Sequence, residues 1–589
     1  MIQFFSVSEG KSLMEAMHEA GVPLNAPCGG NHSCGKCRVR VVDGAIGPVC
    51  TEEMRLLSEK EIAEGWRLAC AVYGPGEWTV EVPEQDSGAK VMTGGTEDGV
   101  PVNPASRVIC KQIAAPTLED QRSDAERTAA GEKYTMAAMK KLPSAMRGGE
   151  QMYLARFEAD EKLITDCSDA PMKNLGIAVD VGTTTMAAYL IDLADGSQIA
   201  CASAMNPQRS FGGDVISRVD YATGQEGGLH RLQTLAAKAV EQLGMKMLKD
   251  SGNTAEDVRH IVCVGNTIMM HLLADLETVH IAKAPFTPVY ADSWSAEAEK
   301  LNMAFEKAYV TLGPCVAGYV GADTVAAALA CDMDQAEDMQ LLIDIGTNGE
   351  IALGNKDGMI CCSAAAGPAF EGAHIRCGGG GQDGAIDHVK MENGQVTYSV
   401  LGGGEAKLIC GSGLVDAIAE MLKEGIIDET GRIDEDEIPE EYEDYLFDFE
   451  GNPAFSLDGR GAEGVFICQQ DLREVQLAKA AIAAGVQVLM NEAGASFEQV
   501  KKLCLAGGFG NYIDRESAVA IGLLPSELGD RIEPVGNAAG TGARQMLKNR
   551  DWLSRADAMR RKMRYVELSA RADFQELFIE KMMFGDEDY

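Results

Sequence analysis

Short runs of alternating apolar residues open the chain, and long amphipathic stretches close it. The strand-like Ile2–Val7 leads into a helical stretch, Ser12–Ala20, which Gly21 terminates. A cysteine-bearing glycine loop follows, then a strand at Arg38–Val42, the turn signal Asp43-Gly44 and a late strand at Thr79–Val82. This pattern predicts a small domain over residues 1–87. Residues 88–105 are rich in Gly, Pro and polar side chains without periodicity, which predicts a flexible linker. SRVICKQIA, from Ser106, reads as a strand and LEDQRSDAERTAA as a charged helical segment; together they predict a small α/β middle domain over 106–173. Over 174–589, apolar strands alternate with long amphipathic helices, the signature of α/β architecture. Within that part the acidic run Asp428–Glu450 is expected to be an exposed insertion.

One long-range echo stands out. GIAVDVGTTTMAAYLIDL (176–193) and LLIDIGTNGEIALGN (341–355) share a strand, an Asp-x-Gly-Thr turn and a second strand. Two such hairpins imply a duplicated α/β core, one hairpin in each half.

A chain of 589 residues exceeds what one hydrophobic core supports, so several domains are required. Apolar runs such as Lys479–Met490 fall short of the roughly 18–20 residues that span a bilayer. The first residues lack a basic start, a long apolar run and a small-residue cleavage site, so a cytoplasmic protein is expected, with no membrane partner. The net charge of −38 repels phosphate backbones and disfavours nucleic acid.

The cysteines carry more information than the charge. Cys28, Cys34, Cys37 and Cys70 have the spacing C-x5-C-x2-C-x32-C within PCGGNHSCGKC and RLAC. Three thiolates on one glycine-rich loop with a fourth brought in by the fold is how [2Fe–2S] clusters are held in ferredoxins. Gly29, Gly30 and Gly35 let the loop turn its N–H groups toward the inorganic sulfides. A zinc ribbon, the competing reading, uses two CxxC pairs, and here only Cys34/Cys37 form one. Cys50 reads as a spare, buried core thiol, and the other twelve cysteines form no later CxxC pair. Gly30–Cys37 imitates a Walker A loop, but a cysteine stands where Ser or Thr would hold magnesium.

The two hairpins resemble the phosphate-1 and phosphate-2 motifs of the acetate/sugar kinase–Hsc70–actin superfamily. Asp180, Gly182, Thr183 and Thr184 form the first; Asp344, Gly346, Thr347, Asn348 and Glu350 the second. Glycine turns let N–H groups approach phosphate oxygens, threonine hydroxyls add donors, and the aspartates can hold Mg²⁺ directly or through water. LCLAGGFGNYID (503–514), with Gly507 and Gly508, resembles the adenosine motif of the same superfamily. Glu350 is the candidate general base toward water, with Asp344 as its rival.

A plant-type cluster sits near roughly −400 mV, and driving an electron to a still lower acceptor is uphill. ATP can drive it by changing the complex. The whole arrangement resembles the reductive activators of corrinoid enzymes, nearly end to end, on CGGNHSCGKC with WRLAC, TLEDQRSD, DVGTTT, NPQRSFGGDVISR, VGNTIMMHLL, DIGTNGE, AAAGPAFEGAHI and LAGGFG. The resemblance implies a β-grasp [2Fe–2S] ferredoxin domain, a linker, a small middle domain and an actin/Hsc70-like ATPase. It further implies one-electron reduction of Co(II) to Co(I) in a corrinoid protein with ATP and Mg²⁺, a low-potential electron donor, and a homodimer. His32 stands where the resemblance leads us to expect glycine, and reads as a surface loop residue. Asp214 and Arg218 fall where related kinases place substrate contacts; the resemblance puts them in the interdomain cleft. The glycine-rich run 364–388 is expected to be too flexible for a core and to line the cleft or the partner surface.

Rival readings are an activator of another low-potential enzyme such as a radical dehydratase, a small-molecule kinase with a redox-sensing module, and a ferredoxin-like adaptor on an inactive ATPase. A nicotinamide or flavin enzyme is disfavoured, because GGGGQDG follows no clear apolar strand.

Overall fold

The computed structural model describes residues 2–585 apart from 21, 23, 25, 27–29, 31, 33, 34, 45, 46, 84–98, 150, 159–161, 436, 437 and 511. The expected linker therefore lies largely outside the described residues, as do Cys28 and Cys34.

The first domain is a four-stranded antiparallel sheet in the order Ile2–Val7, Gly76–Glu81, Arg38–Asp43, Trp66–Leu68. Alternation decides its faces: Phe5 and Val7 point inward, while Ile2 and Phe4 point out. The helix Leu13–Glu19 packs Leu13 and Met17 against the inner face. Its first turn is fixed by a reciprocal cap, in which Ser12 N donates to Glu15 Oε2 (2.6 Å) and Glu15 N donates to Ser12 Oγ (3.2 Å).

A second sheet, in the order Ser106–Gln112, Gln151–Glu158, Lys162–Ser168, Lys133–Tyr134, carries the helices Asp124–Ala129 and Met136–Ala145. The charged segment before it is only half helical. Asp120 takes both Arg122 (2.9 Å) and Arg127 (2.8 Å), which holds 118–122 as a loop, and the helix starts only after Ser123 caps it. Residues 101–104 do not float as a linker: Asn103 N donates to Lys548 O (2.9 Å) and Asn549 Nδ2 to Pro101 O (2.8 Å).

The rest of the described chain forms two lobes with matching topology. One six-stranded sheet runs Gln198–Met205, Thr185–Asp192, Leu175–Val181, Val258–Val264, Tyr309–Leu312, Trp294–Glu297; the other runs Met563–Tyr565, Gly358–Ala364, Gly349–Asn355, Met339–Ile345, Val500–Ala506, Ile532–Gly536. In each, the hairpin strand that carries the Asp-x-Gly-Thr turn has an antiparallel partner on one side and a parallel one on the other. The sequence echo is thus a structural duplication. The helices Ala322–Ala330 and Ala538–Lys548 pack between the lobes, and Gly542 allows this: a Cβ there would stand 2.1 Å from the Ala326 carbonyl oxygen.

Two expectations change. The acidic run is not simply exposed: Ile433 and Tyr442 are buried, and Leu446–Phe449 joins a three-stranded sheet with Asn452–Ser456 and Phe466–Cys468. The glycine-rich run is likewise packed. Gly379 N donates to Ile409 O (3.0 Å), Ile409 N to Cys377 O (2.9 Å), and Phe370 and Ile375 belong to the lobe core. Among the described residues, no helix is long and apolar enough to cross a membrane.

Candidate functional site

Two of the four predicted cluster thiols are described, and they meet. Cys37 Sγ lies 3.2 Å from Cys70 Sγ, both buried and neither in a disulfide. Two thiols so close, one from the loop and one from the segment after Trp66–Leu68, fit ligands that share one metal. The loop backbone requires its glycines: Gly30 and Gly35 have φ of +93° and +62°. His32 also sits in the left-handed region (φ +57°), where a glycine would be relaxed, and its Nε2 lies 3.0 Å from the Cys70 carbonyl oxygen. It is therefore tied to the Cys70 backbone rather than being a free surface residue. After Cys37 the chain enters a strand, not the helix that a Walker A loop needs. Cys50 is half-buried at the N-terminus of Thr51–Leu56, not a core thiol. The same helix is fastened to the strand before Cys70 by Arg67 and Glu53, a buried pair at 2.6 Å, whose carboxylate also accepts from Leu68 N at 3.0 Å.

The second centre is a cleft of about 1490 Å³ between the lobes, large enough for a nucleoside triphosphate, into which both hairpins and the Gly507-Gly508 turn project. Asp180 and Asp344 stand near the ends of corresponding strands. Burial first, then the neighbouring Asp323 carboxylate, pushes Asp180 up to about 7. Burial, then Asp323 and Asp180, does the same to Asp344, also to about 7. Asp323 rises to about 6, chiefly by burial. Glu350, opposite Asp344 in the hairpin register, is raised strongly by burial and then by Asp323 and Asp344. Carboxylates driven together in this way favour a cation. Among the described residues no three side chains have the geometry of a direct metal site. The crowded carboxylates fit Mg²⁺, which usually keeps several waters and takes phosphate oxygens.

The turns are shaped for close approach. A Cβ on Gly182 would stand 2.5 Å from the Thr185 carbonyl oxygen. Gly346 N donates to Asn348 O (3.0 Å) and closes the second turn. Gly507 has φ +94°, and a Cβ there would stand 2.6 Å from Ile345 O and 2.7 Å from Asp344 Oδ1. The adenosine-type turn thus lies directly against the phosphate-2 strand.

The sequence reading missed three contributors. Asp323 opens the helix Ala322–Ala330. Asn537 caps Ala538–Lys548 through Oδ1 and donates through Nδ2 to Asp180 Oδ2 (3.0 Å). Glu371 accepts from Thr184 Oγ1 (2.9 Å) and from Thr347 Oγ1 (3.2 Å). Only Glu371 lay in a quoted motif; the others follow glycines or cap helices, a signal too common to single them out. Arg218 proves to be a fully buried brace rather than a substrate contact, its guanidinium donating to the Thr183 and Gly212 carbonyls. Asp214 caps Val215–Gly224.

The cluster domain rests on the rim of this cleft. Ser210 Oγ donates to Leu24 O (3.1 Å), and Leu24, Lys36 and Trp66 line the same cavity as Asp180 and Asp344.

Three family models match parts of the chain. Residues 2–73 match the "2Fe-2S iron-sulfur cluster binding domain", 175–336 the "RACo middle region" and 338–589 the "C-terminal domain of RACo the ASKHA domain". The chain is 32% identical to the "Corrinoid activation enzyme RamQ" of Eubacterium limosum, over 98% of this chain and 97% of that one. It is 26% identical to a "[Co(II) methylated amine-specific corrinoid protein] reductase" of Methanosarcina barkeri, over 63% of this chain and 69% of that one. A solved "Reductive activator for corrinoid,iron-sulfur protein" superposes with a TM-score of 0.77 at 31% identity, covering 98% of this chain and 96% of that one. The chain belongs to the family of reductive activators of corrinoid proteins, with a [2Fe–2S] domain joined to a two-lobed ATPase of the ASKHA type.

Proposed function

We propose that this protein uses ATP hydrolysis to drive one-electron reduction of an inactive Co(II) corrinoid protein to Co(I). One electron enters from a low-potential donor and one leaves to the substrate's cobalt, while ATP and water give ADP and phosphate. The observation that carries the reading is the contact between the two centres: the cluster-bearing domain forms part of the rim of the nucleotide cleft.

The [2Fe–2S] cluster, held by Cys28, Cys34, Cys37 and Cys70, supplies a one-electron carrier of low potential. Mg²⁺ at the cleft supplies charge neutralisation for the phosphates. Asp180 and Asp344 would hold it through water, and the burial and crowding that raise their proton affinity are what a cation would relieve. Gly182, Thr183 and Thr184 on one lobe, with Gly346, Thr347 and Asn348 on the other, offer N–H and hydroxyl donors to the phosphates. Gly507 and Gly508 let the backbone pass beneath the nucleoside. Glu350 takes a proton from the attacking water once cation binding lowers its affinity for its own, and Asp344 is the rival for that role. We place the chain in the cytoplasm, acting as a homodimer. Its substrate is a methyltransferase corrinoid subunit or a corrinoid iron–sulfur protein.

Two variants separate the chemistries. Cys70→Ser should lose the cluster spectrum and Co(I) formation while still binding ATP. Asp180→Asn should keep the cluster spectrum and lose at least ten-fold in ATP-dependent Co(I) formation. Full Co(I) formation by Asp180→Asn would remove this cleft from the mechanism.

A further inference from the structure

The threonines that offer hydroxyls to the phosphates are already occupied. Thr184 Oγ1 and Thr347 Oγ1, one from each lobe, lie 3.0 Å apart, and both contact the carboxylate of Glu371. A phosphoryl group cannot sit between hydroxyl oxygens 3.0 Å apart; to take donors from both, it must part them and displace the carboxylate. The carboxylate presents to these hydroxyls what a phosphate would: anionic oxygen accepting from both lobes. Arg209, at the cleft wall, is the cation that interacts with it.

Glu371 is also mechanically connected. It sits in the single turn Ala369–Glu371, ended by Gly372 at φ +76°. A Cβ on Gly372 would meet Gly379 N at 2.3 Å, so the turn is packed back to back with the glycine run. Phe370 stacks on Phe509 of the adenosine-type turn, with ring centroids 5.0 Å apart. Arg209 adjoins Ser210, whose hydroxyl holds Leu24 of the cluster domain.

From this geometry we infer that Glu371 is an internal surrogate for the terminal phosphate, a carboxylate that clasps both phosphate hairpins and must be displaced by ATP but not by ADP. The inference rests on the nucleotide-site reading above. Displacement frees the turn on one side and turns Arg209 toward the nucleotide on the other, next to the residue on which the cluster domain rests. The site thereby distinguishes ATP from ADP by competition, and reports the difference to the electron-carrying domain.

The test is calorimetric binding of Mg–ADP and of a non-hydrolysable Mg–ATP analogue to the full-length wild type, Glu371→Ala and Glu371→Gln, with circular dichroism as the folding control. A charged acceptor removed from two donors should tighten the triphosphate roughly ten-fold or more in Glu371→Ala. ADP should stay within about two-fold of wild type. Glu371→Gln keeps an acceptor oxygen without the charge and should tighten the triphosphate by less; it decides the matter alone if the alanine variant does not fold. An unchanged triphosphate-to-ADP ratio, or a weakened triphosphate, overturns the surrogate. Unchanged binding with lost hydrolysis in Glu371→Gln also overturns it and assigns the residue to the hydrolytic step. Wild type that binds neither nucleotide would instead remove the nucleotide site itself.

Discussion

Asp180, Asp323 and Asp344 make the cleft a proton store as well as a cation site. Their folded-state affinities for protons, near pH 7, 6 and 7, lie well above the unfolded value of about 3.9. The native protein therefore binds extra protons between roughly pH 4 and 7. The stability linked to these groups is fully present below that range and is lost as pH rises through 7. Because the three repel one another, they titrate as a set. Binding of Mg–nucleotide should expel these protons: roughly one to two at pH 6.5, fading above about pH 8. Calorimetry in two buffers of different ionisation heat measures the number, and Asp180→Asn should lower it. Release that is zero, or unchanged in the variant, would contradict the electrostatic picture. At this scale the sequence was informative where a motif fixes both residue and spacing, as at Cys37, Cys70, Asp180 and Asp344. It was silent where fold alone supplies the neighbour. Asn537 reaches Asp180 from 357 positions away along the chain, and no local pattern announces it.

Among elements, the helix pair between the lobes depends on one missing side chain. With a Cβ on Gly542 only 2.1 Å from the Ala326 carbonyl, Ala322–Ala330 and Ala538–Lys548 would have to separate. Gly542→Ala should destabilise the protein by about 1–3 kcal/mol, as overpacking does, measured by urea unfolding. An alanine variant as stable as wild type would mean that the helices can slide apart freely. The elements misread from sequence each failed for a physical reason. LEDQRSDAERTAA has helical composition, but Asp120, paired with Arg122 and with Arg127 of the helix, holds the chain as a loop until Ser123 starts the helix. The acidic run hides Ile433 and Tyr442 among carboxylates, so its charge masked its contribution to the core. The glycine run looked mobile because flexibility is read from composition, whereas Gly372 and Gly378 are needed for tight backbone packing.

Across the whole molecule, the small domain packs on the first lobe through Asp166 and Arg259 (2.9 Å), while two lobes and a cluster domain meet around one cleft. The segment Asn206–Arg218 links them. Asn206 Nδ2 donates to Gly182 O (2.8 Å), Asn206 N to Thr184 O (2.8 Å), and Ser210 holds the cluster domain at Leu24. Any change at the phosphate-1 turn therefore acts directly on the cluster domain's support. In hydrogen–deuterium exchange, Mg–ATP should alter the peptide holding Leu24 together with that holding Asn206–Phe211. A response at the second peptide alone would disconnect the domains.

The most direct test of the account is to mix the reduced wild-type protein with a Co(II) corrinoid protein under anaerobic conditions and follow the Co(I) absorption band with and without Mg–ATP. The account predicts Co(I) only when ATP is present. Equal Co(I) without ATP, or no Co(I) while ATP is still hydrolysed, would contradict it.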